Sequence, residues 1–177
     1  STAGDTTVLP QVERLLYDEH LAVRTEALLY LTHHAHIDPL ERIEKLGDFP
    51  DFSIRSAMVA FLARPGPSEN LDAAHLLLEK MVTESGPEGR RARIEAARLI
   101  ATLPDQFERE LRILLQDLDS EVARHAVKAV GVLRKRPFIP RVLERMENPE
   151  IAAEAIEALA RCGDRIVGTL RDYLVDP

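Results

Sequence analysis

Five times along the chain a turn gives way to a β-branched or small apolar residue, followed at close helical spacing by an alanine. The segments are Val23-Arg24-Thr25-Glu26-Ala27, Ile54-Arg55-Ser56-Ala57-Met58, Ala92-Arg93-Ile94-Glu95-Ala96, Val122-Ala123-Arg124-His125-Ala126 and Ile151-Ala152-Ala153-Glu154-Ala155. Their first residues stand at 23, 54, 92, 122 and 151, separated by 31, 38, 30 and 29 residues. A period in this range marks a chain built from one supersecondary unit used repeatedly. In the second segment the alanine, Ala57, comes one position early. The longest interval holds two extended turns, Pro65-Gly66-Pro67-Ser68 and Glu84-Ser85-Gly86-Pro87.

Between these anchors lie second apolar segments, at 8–16, 40–46, 71–82, 107–115, 139–146 and 166–174. Their spacing is helical: Ile139, Val142, Leu143 and Met146 fall at i, i+3, i+4 and i+7. Strand signals are missing, and Ala, Leu, Glu and Arg dominate. Start signals agree, with Asp119-Ser120 before one helix, Asn148-Pro149-Glu150 before another and Pro104-Asp105 before a third. The pattern predicts a first helix near 7–17. Five pairs then follow, at 20–33 and 39–46, 53–63 and 69–84, 88–102 and 105–116, 120–134 and 138–146, and 149–161 and 164–175.

One such pair is too small to bury its own apolar stripe, so neighbours must stack and share a core. The expected fold is all-α: an α-solenoid, or superhelix, of about five and a half helix–turn–helix repeats. A single repeat domain spans 1–177, with 1–5 disordered or left over from cloning. The recurring alanines, Ala27, Ala57, Ala96, Ala126 and Ala155, then mark places where helices approach closely.

The repeat resembles the HEAT family, especially the short HEAT-like type also met in phycobilin lyases. That pattern is an Asp, a short turn, Val-Arg, then Ala-x-x-Ala-Leu-Gly. It is visible from Asp117 through Val122, Ala123, Arg124, Ala126 and Ala129 to Gly131, and again from Asp18 through Val23-Arg24 to Ala27. The tail from Glu157 through Cys162-Gly163-Asp164 to Leu174 is similar to HEAT segments fused to bacterial ATP/ADP-translocase-type transporters. The resemblance implies a non-catalytic scaffold for protein–protein or interdomain contact, one version being a regulatory domain of a nucleotide-transporter-like membrane protein. The alternative it leaves open is a HEAT-fold enzyme, or a protein that processes chromophores or nucleic acid. HEAT arrays commonly carry a ladder of turn Asp and helix Arg. Asp18 and Arg24 keep that spacing, whereas Ala123, Ala152 and Asn148 break it, so an incomplete ladder is expected. The chain opens on half a repeat and closes on Val175-Asp176-Pro177, as another repeat would begin; a longer parent chain is the expectation.

Charge narrows the partners. Residues 1–88 carry 7 basic and 15 acidic residues, and 89–177 carry 16 and 15. A net charge of −7 disfavours nucleic acid, whose binding rests on neutralising phosphates. Trp is absent, and Tyr17, Tyr30 and Tyr173 lie far from the basic stretch in sequence. Charges interrupt every apolar run before about 18 residues, so a membrane would be met only through a fused domain. The expected location is the cytoplasm, or the cytoplasmic part of a membrane protein.

Within 122–145, seven basic residues face Glu144 alone. Arg134, Lys135, Arg136, Arg141 and Arg145 are the candidate site for an acidic partner, in another protein or in a neighbouring domain of the same chain. No catalytic residue, metal ligand set or cofactor is expected. His33, His34 and His36, with His20 and Asp38, form the one ligand-like cluster, which reads more simply as a polar helix end. No His is followed by Glu, as a di-iron hydroxylase of this fold would require. Cys162 has no neighbouring His to activate it.

Overall fold

The computed structural model describes residues 8–103, 106–163, 166–168 and 171. Among the described residues the chain forms ten α-helices and no strand. They are α1 (Leu9–Leu15), α2 (Leu21–His34), α3 (Pro39–Leu46), α4 (Ile54–Leu62), α5 (Leu71–Thr83), α6 (Gly86–Ile100), α7 (Glu108–Leu115), α8 (Ser120–Leu133), α9 (Ile139–Arg145) and α10 (Ala152–Cys162). A 3₁₀ turn, Arg136–Phe138, precedes α9. None of these helices is long and apolar enough to cross a membrane. The helix expected at 164–175, the start at Pro104-Asp105 and residues 1–5 lie wholly or mostly outside the described residues.

Local chemistry sets the helix starts. Asp38 Oδ1 accepts from the amides of Leu40 and Glu41 at 2.9 and 3.1 Å, and Pro39 opens α3. Asp119 Oδ1 does the same for Glu121 and Val122 at 3.0 and 3.1 Å. Asn70 Oδ1 takes the Ala73 amide at 3.1 Å. Asn148 departs from expectation. It accepts from the Glu150 amide in a tight turn, and α10 begins only at Ala152.

The chain divides into two compact units, Ser1–Leu78 and Glu79–Pro177. In the first, α2 packs on α1 and α4, and α3 lies against both α2 and α4. Leu16, Leu28, Leu31, Ile43 and Val59 are buried there. In the second, α8 packs on α6, α7 and α10, and α9 packs on α10. Its core includes Leu99, Leu111, Leu114, Val127, Phe138 and Ile151.

Four of the repeated alanines, Ala27, Ala96, Ala126 and Ala155, are at most 4% exposed. Ala57 is only half-buried. Each helical residue turns the chain by about 100°, so a one-residue offset swings a side chain off the apolar stripe. Ser56 and Val59 take the buried places on α4 instead. One close helix contact uses a glycine. A Cβ on Gly131 of α8 would stand 2.7 Å from Ala158 Cα of α10, closer than carbon atoms can approach.

Candidate functional site

The basic residues singled out in the sequence gather where α8 ends and α9 begins. Arg134 closes α8 in the left-handed conformation, with φ 53° and ψ 41°. Its amide donates to Val130 O, and the Lys135 amide donates to the same oxygen at 3.1 Å. This lets the helix stop abruptly although no glycine stands there. Pro137 and the buried Phe138 then hold the 3₁₀ turn, and the Arg112 guanidinium lies 5.3 Å from the Phe138 ring centre.

The five candidates divide by their contacts. Lys135 is drawn inward: its Nζ lies 2.6 Å from Glu108 Oε1, and its side chain is only 11% exposed. Arg145 Nε donates at 2.7 Å to the carbonyl of Leu115, one of the last-turn oxygens of α7 without a helical partner. Both residues tie α7 to the segment that follows α8. Arg141 is exposed and pairs with Glu144 at 2.8 Å on its own helix. Arg134 and Arg136 are exposed and form no ion pair with a carboxylate among the described residues. Both cations act on Cys162 at the end of α10: burial pushes its thiol up, and Arg136 and Arg134 pull it back. The thiol therefore stays protonated and poorly nucleophilic near neutral pH.

At the other end of α8 the charges are used differently. Arg90 reaches Asp119 at 2.6 Å and Glu121 at 2.5 Å, and the two hydrogen bonds from its guanidinium raise its pKa above the usual range. Asp119 is held below the ordinary 3.8, first by Arg90 and then by the backbone amides it caps. Arg93 is bound more deeply, with Nε 2.6 Å from Asp117 Oδ2 and Nη1 2.6 Å from Glu84 O. An open groove of about 720 Å³ lies beside this network, and Leu118 stands 99% exposed on its rim. Sequence reasoning missed that leucine, because nothing in Asp117-Leu118-Asp119 says which way the middle residue points.

The histidine cluster does not converge. His20 Nδ1 lies 3.0 Å from Asp18, the His34 ring packs at a tilt against Tyr30, and Asp38 is occupied in capping α3. Among the described residues no three His, Cys, Asp or Glu side chains are grouped to hold a metal ion. Asp18 and Arg24, which keep the spacing of an Asp/Arg ladder in the sequence, do not pair with each other. Asp18 accepts from the His20 amide at 2.8 Å and sits below its ordinary pKa for that reason first. The guanidinium carbon of Arg24 lies over the ring of Phe49, 3.5 Å from its centre. Searches of family models, of curated proteins and of solved structures return no match to this chain.

Proposed function

We propose that the chain is a non-catalytic, HEAT-like α-solenoid whose second unit docks an acidic segment, from a partner protein or from a neighbouring domain of the same chain. The observation that carries this reading is the pair of exposed guanidiniums, Arg134 and Arg136, fixed on a turn whose other basic residue, Lys135, is anchored inward. A cation whose neighbours are already neutralised keeps its field for an outside anion, and a held turn lowers the entropy lost on binding.

Two further features support the repeat architecture. First-type helices touch one another across an intervening helix, α2 with α4 and α8 with both α6 and α10. Links also recur at matching positions. Arg90 and Asp119 stand two and three residues before successive anchors, and so do Ser120 and Asn148, joined at 3.2 Å. Repeats that lean on neighbours leave their turns and outer faces free for contact.

The test uses an acidic, Glu/Asp-rich peptide as probe. The wild-type chain should bind it with an affinity that falls as salt rises. Arg134→Glu combined with Arg136→Glu should weaken binding by about tenfold or more and leave Tm unchanged, since neither side chain has an ion-pair partner among the described residues. Lys135→Ala should instead lower Tm. Equal binding by the double variant and the wild type would overturn the proposal.

A further inference from the structure

In the first unit the guanidinium of Arg24 is enclosed by apolar side chains. The residue is 6% exposed, and Nε and Nη2 are both buried without a hydrogen-bond partner among the described residues. Burial lowers its pKa, and Asp18 and Asp51 act on it only at a distance. Arg24 lines a small pocket with Leu16, Leu28, Ile43, Phe49 and Phe52, and the enclosed part measures about 20 Å³. A buried guanidinium that keeps its charge needs an acceptor for its fork of donors, because an unpaired buried charge is strongly destabilising. The corresponding arginine of the second unit, Arg93, has that acceptor in Asp117.

We infer that Arg24 and its apolar surround form a binding site for a single carboxylate carried on an aliphatic stem. The enclosed space is about that of one water, which matches one carboxylate oxygen and not a whole small molecule. One oxygen enters; the rest of the head group and the stem stay at the mouth, beside Phe49 and Phe52. Nε and Nη2 lie on one edge of the guanidinium plane, so a single carboxylate oxygen placed between them can accept from both. The stem could belong to a free aliphatic acid or to the C-terminus of an apolar peptide. The same chemistry serves both. The site is separate from Arg134 and Arg136 and stands whether or not those residues dock an acidic segment.

Hexanoate, its neutral analogue hexanamide, and a short leucine peptide with a free or an amidated C-terminus are the probes. Hexanoate should raise Tm saturably by several degrees, because a ligand that binds only the folded state stabilises it by mass action. Hexanamide should not, and Phe49 and Phe52 ring resonances should shift with the carboxylate alone. A response to hexanoate only identifies a free acid as the natural ligand. A larger response to the free-acid peptide, absent for its amide, identifies a chain terminus. Arg24→Met should remove every response while keeping the helical circular dichroism; Arg24→Lys, which keeps the charge without the fork, should weaken it severalfold. If neither carboxylate shifts Tm or the ring resonances, or if chloride at equal ionic strength does the same, a trapped water satisfies Arg24 and the inference falls.

Discussion

Arg24 and Arg93 occupy the same place, one residue after an anchor of the repeated segment, and they meet different surroundings. Five residues before the next anchor stands Asp117 in the second unit and Phe49 in the first. Arg93 therefore closes an ion pair whose two side chains are 19% and 11% exposed. Arg24 is left with a ring face and with two nitrogens that find no acceptor among the described residues. One acidic-to-aromatic exchange, about 25 residues downstream of the arginine, converts a structural tie into an open valence. The two units thus share a repeat and differ in what it is used for: the second is closed by polar links, and the first keeps a strong donor in reserve.

The contrast can be broken most directly by removing each charge. Arg93→Met should lower the unfolding free energy by about 3 kcal/mol, because it leaves the nearly buried carboxylate of Asp117 unpaired. Arg24→Met should leave it unchanged or raise it by about 1 kcal/mol, since an apolar side chain of similar length replaces an unsatisfied cation. Urea denaturation of the two variants under one set of conditions gives the difference. Equal losses would show that the two arginines are equally well satisfied.

A second experiment transplants the acid. Phe49→Asp puts a carboxylate where the second unit has Asp117. Alone it should be near neutral, because lost ring packing offsets the new pair. A double-mutant cycle with Arg24→Met should return a coupling of about 1–3 kcal/mol between positions 24 and 49. It should also abolish the hexanoate response, because the site is then filled from within. A cycle with no coupling would separate Arg24 from the repeat register.

The smallest effect expected is on pH dependence. Half-buried His125, on α8, is pushed below its ordinary 6.5, first by desolvation and then by Lys128, Arg124 and Arg98. The unfolded chain then takes up the proton more readily than the folded one. The second unit should be most stable above pH 6.5 and lose stability as pH falls from there through the lower folded value. His125→Gln should flatten that part of the curve, as read by denaturation at a series of pH values between 7.5 and 5.

Much of the helical framework is legible in the amino-acid pattern, because it depends on near neighbours. Ile139, Val142 and Leu143 share one apolar stripe, and all three are buried. Asp38 and Asp119 cap helices within three residues of themselves. What depended on distant partners was hidden. Lys135 and Arg145 look like free surface cations in a basic run, yet their partners, Glu108 and Leu115 O, stand 27 and 30 residues away. Arg24 keeps its spacing from Asp18, but the position that decides its surroundings is Phe49, in the following repeat. Ala57 shows the same limit inside a single helix: its chemistry fitted the pattern, and a one-residue shift in phase turned it aside. Composition carries the period, while the pairing of one repeat with the next fixes which charges remain available.

The contact between Gly131 and Ala158 has a mechanical consequence. Where two helices meet with no side chain between their backbones, sliding or rotation drives main-chain atoms into one another, and nothing soft yields first. The α8–α10 joint therefore behaves as a weld. The α6–α8 pair also packs helix on helix, and adds to that contact the ion pairs of Arg90 and of the more deeply bound Arg93. The basic turn after Leu133 is therefore braced from two sides, by the Gly131–Ala158 contact and by the links of Lys135 and Arg145 to α7, so Arg134 and Arg136 are presented from a stiff mount.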